Sequence, residues 1–189
     1  PVEQLPTLRA LPGVRVWRPC DVAETAQAWV DAVKFSGPTC LSLSRQTLPF
    51  VTRTPEQAAG MARGGYVLRD CDGQPEVILI ASGSEVSLCL GAYEKLSAQG
   101  RRVRVVSMPC TEIFDAQDAA YRESVLPSAV RARVAVEASQ PDFWYKYAGL
   151  DGAVVGMDHF GASAPGKVLA EHFGFTVDNV VKAASGLLK

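Results

Sequence analysis

The chain has 189 residues, 48% of them hydrophobic and 21% charged, with a formal net charge of −1. This is a globular composition, large enough for one sizeable domain or for a small domain plus part of another, and its near-neutral balance excludes the basic stripe that grips nucleic acid. No apolar run reaches the ~20 residues of a membrane span, and the start, PVEQLPTLRALPG, has neither the basic head nor the apolar middle of a secretory signal.

The opening lacks an initiator Met and begins in mid-pattern, so a processed or excised fragment is expected. VEQLPTLRAL reads as the end of a helix, and VRVWRP as a short strand closed by Pro19. Asp21, with Glu24 three residues later, makes a capping-box-like start to a helix whose Ala26, Trp29, Val30 and Val33 share a face. Gly37-Pro38 breaks the chain, and TCLSLS runs extended. Strands and helices alternating at this length imply parallel βαβ units. Two strands and one and a half helices close no core, so residues 1–55 read as a partial βαβ segment, the tail of a larger domain. LPFVTRTPEQAAGMARGG, with two prolines and a closing Gly64-Gly65, reads as the connection, with a linker at 56–62 and a boundary near 62.

The pattern restarts over 63–189. GYVLRDCDGQPEVILIASGSEV reads as a strand, an Asp72-Gly73 turn and a buried strand from Val77 to Ala81. Ser82 and Glu85 fit a capping box for a helix carrying Val86, Cys89, Leu90, Tyr93 and Leu96, stopped by Gly100. RVRVVSMP, ARVAVEAS and AVVGM supply three further strands; shorter helices fit around 118–121, 142–147, 166–173 and 177–188. The expected fold class is α/β: a three-layer α/β/α domain with a mostly parallel sheet of about five strands, preceded by the partial βαβ segment.

The candidate chemistry is sparse. Five cysteines lie dispersed with no C-x-x-C pair, which reads as reduced, intracellular thiols, most of them small buried hydrophobes. Arg101, Arg102 and Arg104 are the nearest approach to a basic patch and read as a solvated strand entry. SGSEV, at a strand-to-helix junction, reads as a capped helix start, with anion capture as the alternative. His159 beside Asp158 fits an orienting pair for general-base work or, more commonly, a loop cap; His172 at a helix end reads as structural. Glu112, Asp115 and Asp118 have no His or Cys at ligand spacing, so no metal is assigned to them. Phe143, Trp144, Tyr145 and Tyr147 suit stacking on a ligand or, more simply, packing against a neighbouring domain or subunit. Arg45, in SRQ after a buried strand, stands where an α/β sheet offers its crevice; its planar fork suits a phosphate, while pairing with a nearby carboxylate is the plain alternative.

PVEQLPTLRALPGVRVWRPCD with GPTCLSLSRQTLP resembles the end of the pyrimidine-binding domain of transketolase, and ARGGYVLRDC, IASGSEVSL, RVVSMPCTEIFDAQDAAYRESVLP and FGASAPGKVLAEHFGFTVDNVV resemble its C-terminal domain. The resemblance covers essentially the whole chain and implies a transferase of the pentose phosphate pathway. That enzyme moves a two-carbon ketol unit between phosphorylated sugars with thiamine diphosphate and Mg (or Ca), as a cytoplasmic homodimer. It also implies that Arg45 binds the substrate's phosphate, which favours the phosphate reading of that residue. The family's metal-placing segment, its cofactor-activating Glu and its substrate-contacting His match no residue here, so no catalytic, cofactor-binding or metal residue is expected in this chain. Asp72-Gly73 is expected to be only a turn. The expectation is therefore a transketolase C-terminal part, inactive alone, whose C-terminal domain serves assembly and stability, with phosphorylated sugars, the rest of the chain and a second subunit as partners and with neither nucleic acid nor membrane. A stand-alone binding or docking module, using the aromatic helix and the SGSEV site, is the alternative.

Overall fold

The computed structural model describes residues 2–188. Its first part contains α1 (Gln4–Arg9), β1 (Arg15–Trp17), α2 (Val22–Lys34) and β2 (Thr39–Leu41). β1 and β2 pair in parallel, Val16 opposite Cys40, with α2 as the crossover. Asp21 starts α2 by accepting the Glu24 amide at 3.1 Å, and Glu24 Oε2 reaches one residue further back than a capping box requires, to the Cys20 amide at 2.7 Å. The apolar face of α2 does form, but it points outward: Trp29 and Val33 are 55% and 81% exposed, while Glu24 and Ala28 are buried.

The stretch read as linker folds into α3 (Pro55–Met61). Thr54 and Gln57 form a reciprocal capping box and Pro55 sits in the first turn, where its missing N–H costs nothing. Prolines and polar residues that looked like breakers are the helix's start signal.

The second part runs through β3 (Tyr66–Arg69), β4 (Val77–Ala81), α4 (Val86–Ala98), β5 (Val103–Ser107), α5 (Thr111–Asp115), α6 (Ala119–Val125), β6 (Arg133–Val136), α7 (Tyr145–Ala148), β7 (Ala153–Val155), α8 (Gly166–His172) and α9 (Val177–Leu187). The strand order is β3-β5-β4-β6-β7, with β3 antiparallel to β5 and the other pairs parallel. This is the three-layer arrangement expected. Leu79 and Ala81 face α4 and α9, while Ile78 and Ile80 face Phe114, Val125 and Trp144. All five residues of β4 are buried because both faces of this central strand are covered, which is why it reads as an unbroken apolar run. α5 falls in a stretch where the sequence showed no helix; five residues are too few to show a helical period.

Surface charges settle locally. Arg101 pairs with Glu76 at 3.5 Å and Arg104 with Asp70 at 2.8 Å, while Arg102 Nε donates to Gln74 O, so two of the three arginines have carboxylate partners nearby. Among the described residues, no helix is long and apolar enough to cross a membrane.

Candidate functional site

The two sheets meet with the C-terminal ends of their strands facing each other. The Arg18 amide, just past β1, donates to Pro109 O at 2.7 Å, and the Gly83 amide, just past β4, donates to Arg18 O at 2.8 Å. A doubly wound sheet ordinarily takes its ligand outside the C-terminal ends of the strands where the connections diverge. Here that place lies beyond β4 and β6, at Ser82 and Glu137, and the chain's own first segment fills it.

Arg9, from the last turn of α1, makes a two-pronged pair with Glu137, at 2.7 and 2.9 Å. Both side chains are fully shielded from solvent. Glu137 also accepts from Ser82 Oγ, Ser139 Oγ at 2.6 Å and Trp144 Nε1 at 2.8 Å. Burial alone would raise the Glu137 carboxyl, but the Arg9 guanidinium and these donors hold it down, at about 2. Arg18 lies alongside, 2.6 Å from Glu85 and hydrogen bonded to Ser82 O. A Cβ on Gly83, whose φ is +55°, would stand 2.6 Å from the Arg18 guanidinium, so glycine is needed both for the turn and for the close approach.

These contacts revise the reading of SGSEV. Ser82 does not cap the following helix, which opens instead as a short 3-10 turn; its hydroxyl is committed to Glu137, and Glu85 is committed to Arg18 and the Ala138 amide. A cation, not an anion, sits at the junction. The aromatic group divides as well. Trp144 and Tyr147 are core residues inside this domain, while Phe143 lies beneath Arg9, 5.0 Å from ring centre to guanidinium, and Tyr145 is exposed.

Arg45 occupies the loop between β2 and α3, on the side where the two sheets converge. It is exposed, and among the described residues it makes no ion pair or hydrogen bond. Its neighbours Ser44 and Gln46 line a pocket of about 220 Å³ together with Val22 and Thr25 at the start of α2.

The other sequence candidates take structural places. His159 is exposed, with Nδ1 3.0 Å from Phe160 O and its ring 5.2 Å from Phe173, and among the described residues no hydroxyl or thiol bonds to it. His172 stacks edge-on against Phe173 at 4.9 Å. Glu112 accepts the Val16 amide at 3.1 Å, Asp115 accepts from Lys146 and Tyr147, and Asp118 caps α6. Cys20, Cys89 and Cys110 are buried free thiols, pushed upward by desolvation; Cys40 and Cys71 are also free and half-buried. Among the described residues, no group of three or more His, Cys, Asp or Glu is placed to hold a metal ion.

Sequence reasoning missed Arg9, Arg18 and Glu137. One signal was available: in VAVEAS a carboxylate directly follows a buried parallel strand, where an unpaired charge is untenable.

Comparison with known proteins agrees with this layout. A family model described as the transketolase-like C-terminal domain matches residues 64–176, and one for the transketolase pyrimidine-binding domain matches residues 1–51. Transketolase 1 of Escherichia coli is 63% identical over the whole chain, which spans 28% of that relative's length. A Pichia stipitis transketolase in complex with sedoheptulose 7-phosphate superposes with a TM-score of 0.91 at 35% identity, over all of this chain and 27% of that one. A split-gene transketolase described as an inactive β4 tetramer superposes at 0.78 with 25% identity, over 99% of this chain and 62% of that one. With more than half of its residues inside the C-terminal-domain model and residues 1–51 inside the pyrimidine-binding-domain model, the chain belongs to the transketolase family.

Proposed function

We propose that this chain supplies a substrate-phosphate arginine and an assembly domain to an enzyme that transfers two-carbon ketol units between phosphorylated sugars. In that reading residues 1–55 end the pyrimidine-binding domain, 56–62 connect, and 63–189 form the C-terminal domain. The active species is a cytoplasmic homodimer of the longer chain, and the open face of α2, with Trp29 and Val33, packs on the rest of the pyrimidine-binding domain. The chain alone is inactive.

The observation that carries the reading is Arg45: a charged fork without a partner among the described residues, on a loop held at both ends, beside a pocket, where the sheets' C-terminal edges converge. The Pichia stipitis relative, a sugar-phosphate complex, makes a phosphate the fitting anion, and the inactive split-gene tetramer is in keeping with an inactive isolated chain. Thiamine diphosphate with magnesium or calcium belongs to the whole enzyme. The described residues do not fit it: they provide no metal-ligand cluster, and Asp72-Gly73 is an exposed turn. No step through that cofactor is assigned to this chain.

The test is Arg45→Ala in the full-length enzyme, with phosphorylated and unphosphorylated donors compared. KM for the phosphorylated donor should rise by roughly 10–150-fold, the worth of about 1.5–3 kcal/mol for a hydrogen bond to a charged group. An equal rise for the unphosphorylated donor would refute the assignment.

A further inference from the structure

The backbone of the loop that presents Arg45 is hydrogen bonded to the rest of the protein only at its ends, among the described residues. Upstream, the Ser42 amide donates to Trp17 O at 2.8 Å, continuing the β1–β2 ladder. From 43 to 50 no backbone hydrogen bond leaves the loop among the described residues. Downstream, one residue takes the load. The Val51 amide donates to Asp21 Oδ2 at 3.0 Å, and Val51 O accepts from Arg53 Nη1 at 2.7 Å.

Arg53 is itself locked. Its side chain is 4% exposed and pairs with Asp21 at 2.6 Å; its Nε donates to the Tyr66 hydroxyl at 2.7 Å. Tyr66, on β3, donates onward to Glu24 Oε1 at 2.8 Å, and Ser107, at the end of β5, donates to the same oxygen at 2.6 Å. Tyr66 and Ser107 stand opposite each other in the antiparallel β3–β5 pair. A continuous run of buried hydrogen bonds therefore joins the five-stranded sheet to the peptide that ends the Arg45 loop.

We infer that Asp21, Arg53 and Tyr66 are positioning residues through which the C-terminal domain sets the placement of Arg45 for the substrate's phosphate. The inference rests on the phosphate reading of Arg45 given above. None of the three touches substrate; each acts by fixing Val51 or the side chains that hold it. Arg is required at position 53 because one planar fork must reach Asp21, Val51 O and Tyr66 together, which a lysine ammonium on a flexible stem does not do.

The experiment compares Arg53→Lys, Tyr66→Phe and Arg45→Ala in the full-length enzyme, singly and with each of the first two combined with Arg45→Ala. Arg53→Lys should raise KM for the phosphorylated donor by about tenfold, what one weakened hydrogen bond is worth, with kcat and the KM of an unphosphorylated donor nearly unchanged. Tyr66→Phe, which removes one hydroxyl and keeps the ring, should act in the same direction more weakly, and it serves if Arg53→Lys does not fold. Neither should raise KM further once Arg45 is alanine, since both act through it. A purely structural role moves both donors alike and multiplies with Arg45→Ala; either result overturns the inference. If Arg45→Ala discriminates between donors while Arg53→Lys and Tyr66→Phe do not, only the positioning role falls. If Arg45→Ala itself fails to discriminate, the phosphate reading and this inference fall together.

Discussion

Residues 2–53 and 64–188 solve the same problem in opposite ways. The second region covers both faces of a five-stranded sheet with its own helices and buries β4 completely. The first has two strands of three residues each, buries only Glu24 and Ala28 from α2, and leaves the helix's apolar face in solvent. Two things hold it: an apolar seam in which Trp17 and Ala28 pack on Cys110 and Ile113, and buried charge, with Arg9 and Arg18 entering the larger domain's crevice and Asp21 and Glu24 binding Arg53 beside Tyr66. A segment too small to own a core shares one with its neighbour and adds buried ion pairs whose every polar atom is nearly accounted for, because an unpaired charge there is strongly unfavourable. Arg9 Nε is one exception, buried without a partner among the described residues.

The largest expected effect comes from cutting the join at its most buried point. Glu137→Gln leaves Arg9 facing a neutral amide in a site shielded from water and should lower stability by about 3–5 kcal/mol, read from urea unfolding of this chain. The same carboxylate predicts a pH response. Its folded pKa of about 2 lies below the ordinary value of 4.5, so its contribution is complete above about 4.5 and drains away as pH falls toward 2. Stability measured across that window should fall more steeply for the parent than for Glu137→Gln; parallel curves would remove Glu137 from the account.

A core truncation sharpens the contrast. Leu79→Ala, in the fully buried β4, deletes a side chain held from both helices above it and should cost about 2–5 kcal/mol by thermal or urea unfolding. A loss under 1 kcal/mol would mean that the sheet is less tightly packed than its burial implies.

The division also explains what could be read from the chain itself. The buried run VILIA and the helix carrying Val86, Cys89 and Leu96 are local patterns of 5 and 13 residues, and together with the βαβ order each became the element expected. The place of Arg45 was legible too: it follows a strand in the sequence, and it stands exposed on the loop after β2. The ion pairs were not, because Arg9 and Glu137 lie 128 positions apart and neither sits in a pattern that names the other. Ser82 shows the cost of purely local reasoning: its spacing to Glu85 fits a capping box, yet a buried carboxylate from another strand outbids the helix amides for its hydroxyl. Α3 failed in the reverse sense, with start signals taken for breaks.

The smallest effect tests the open face. Trp29 is 55% exposed and Val33 81%, so Trp29→Ala and Val33→Ala should each change the stability of this chain by no more than about 0.5 kcal/mol, the usual range for surface positions. The same two substitutions in the full-length enzyme should cost several times more, because the proposed packing of α2 on the remainder of its domain would bury both side chains, and truncating a buried tryptophan or valine forfeits its apolar contacts as well as leaving a void. The ratio between the two settings is the quantity to measure. A ratio near one would mean that α2 faces solvent in the longer protein as well, and the proposed packing of its apolar face would fall.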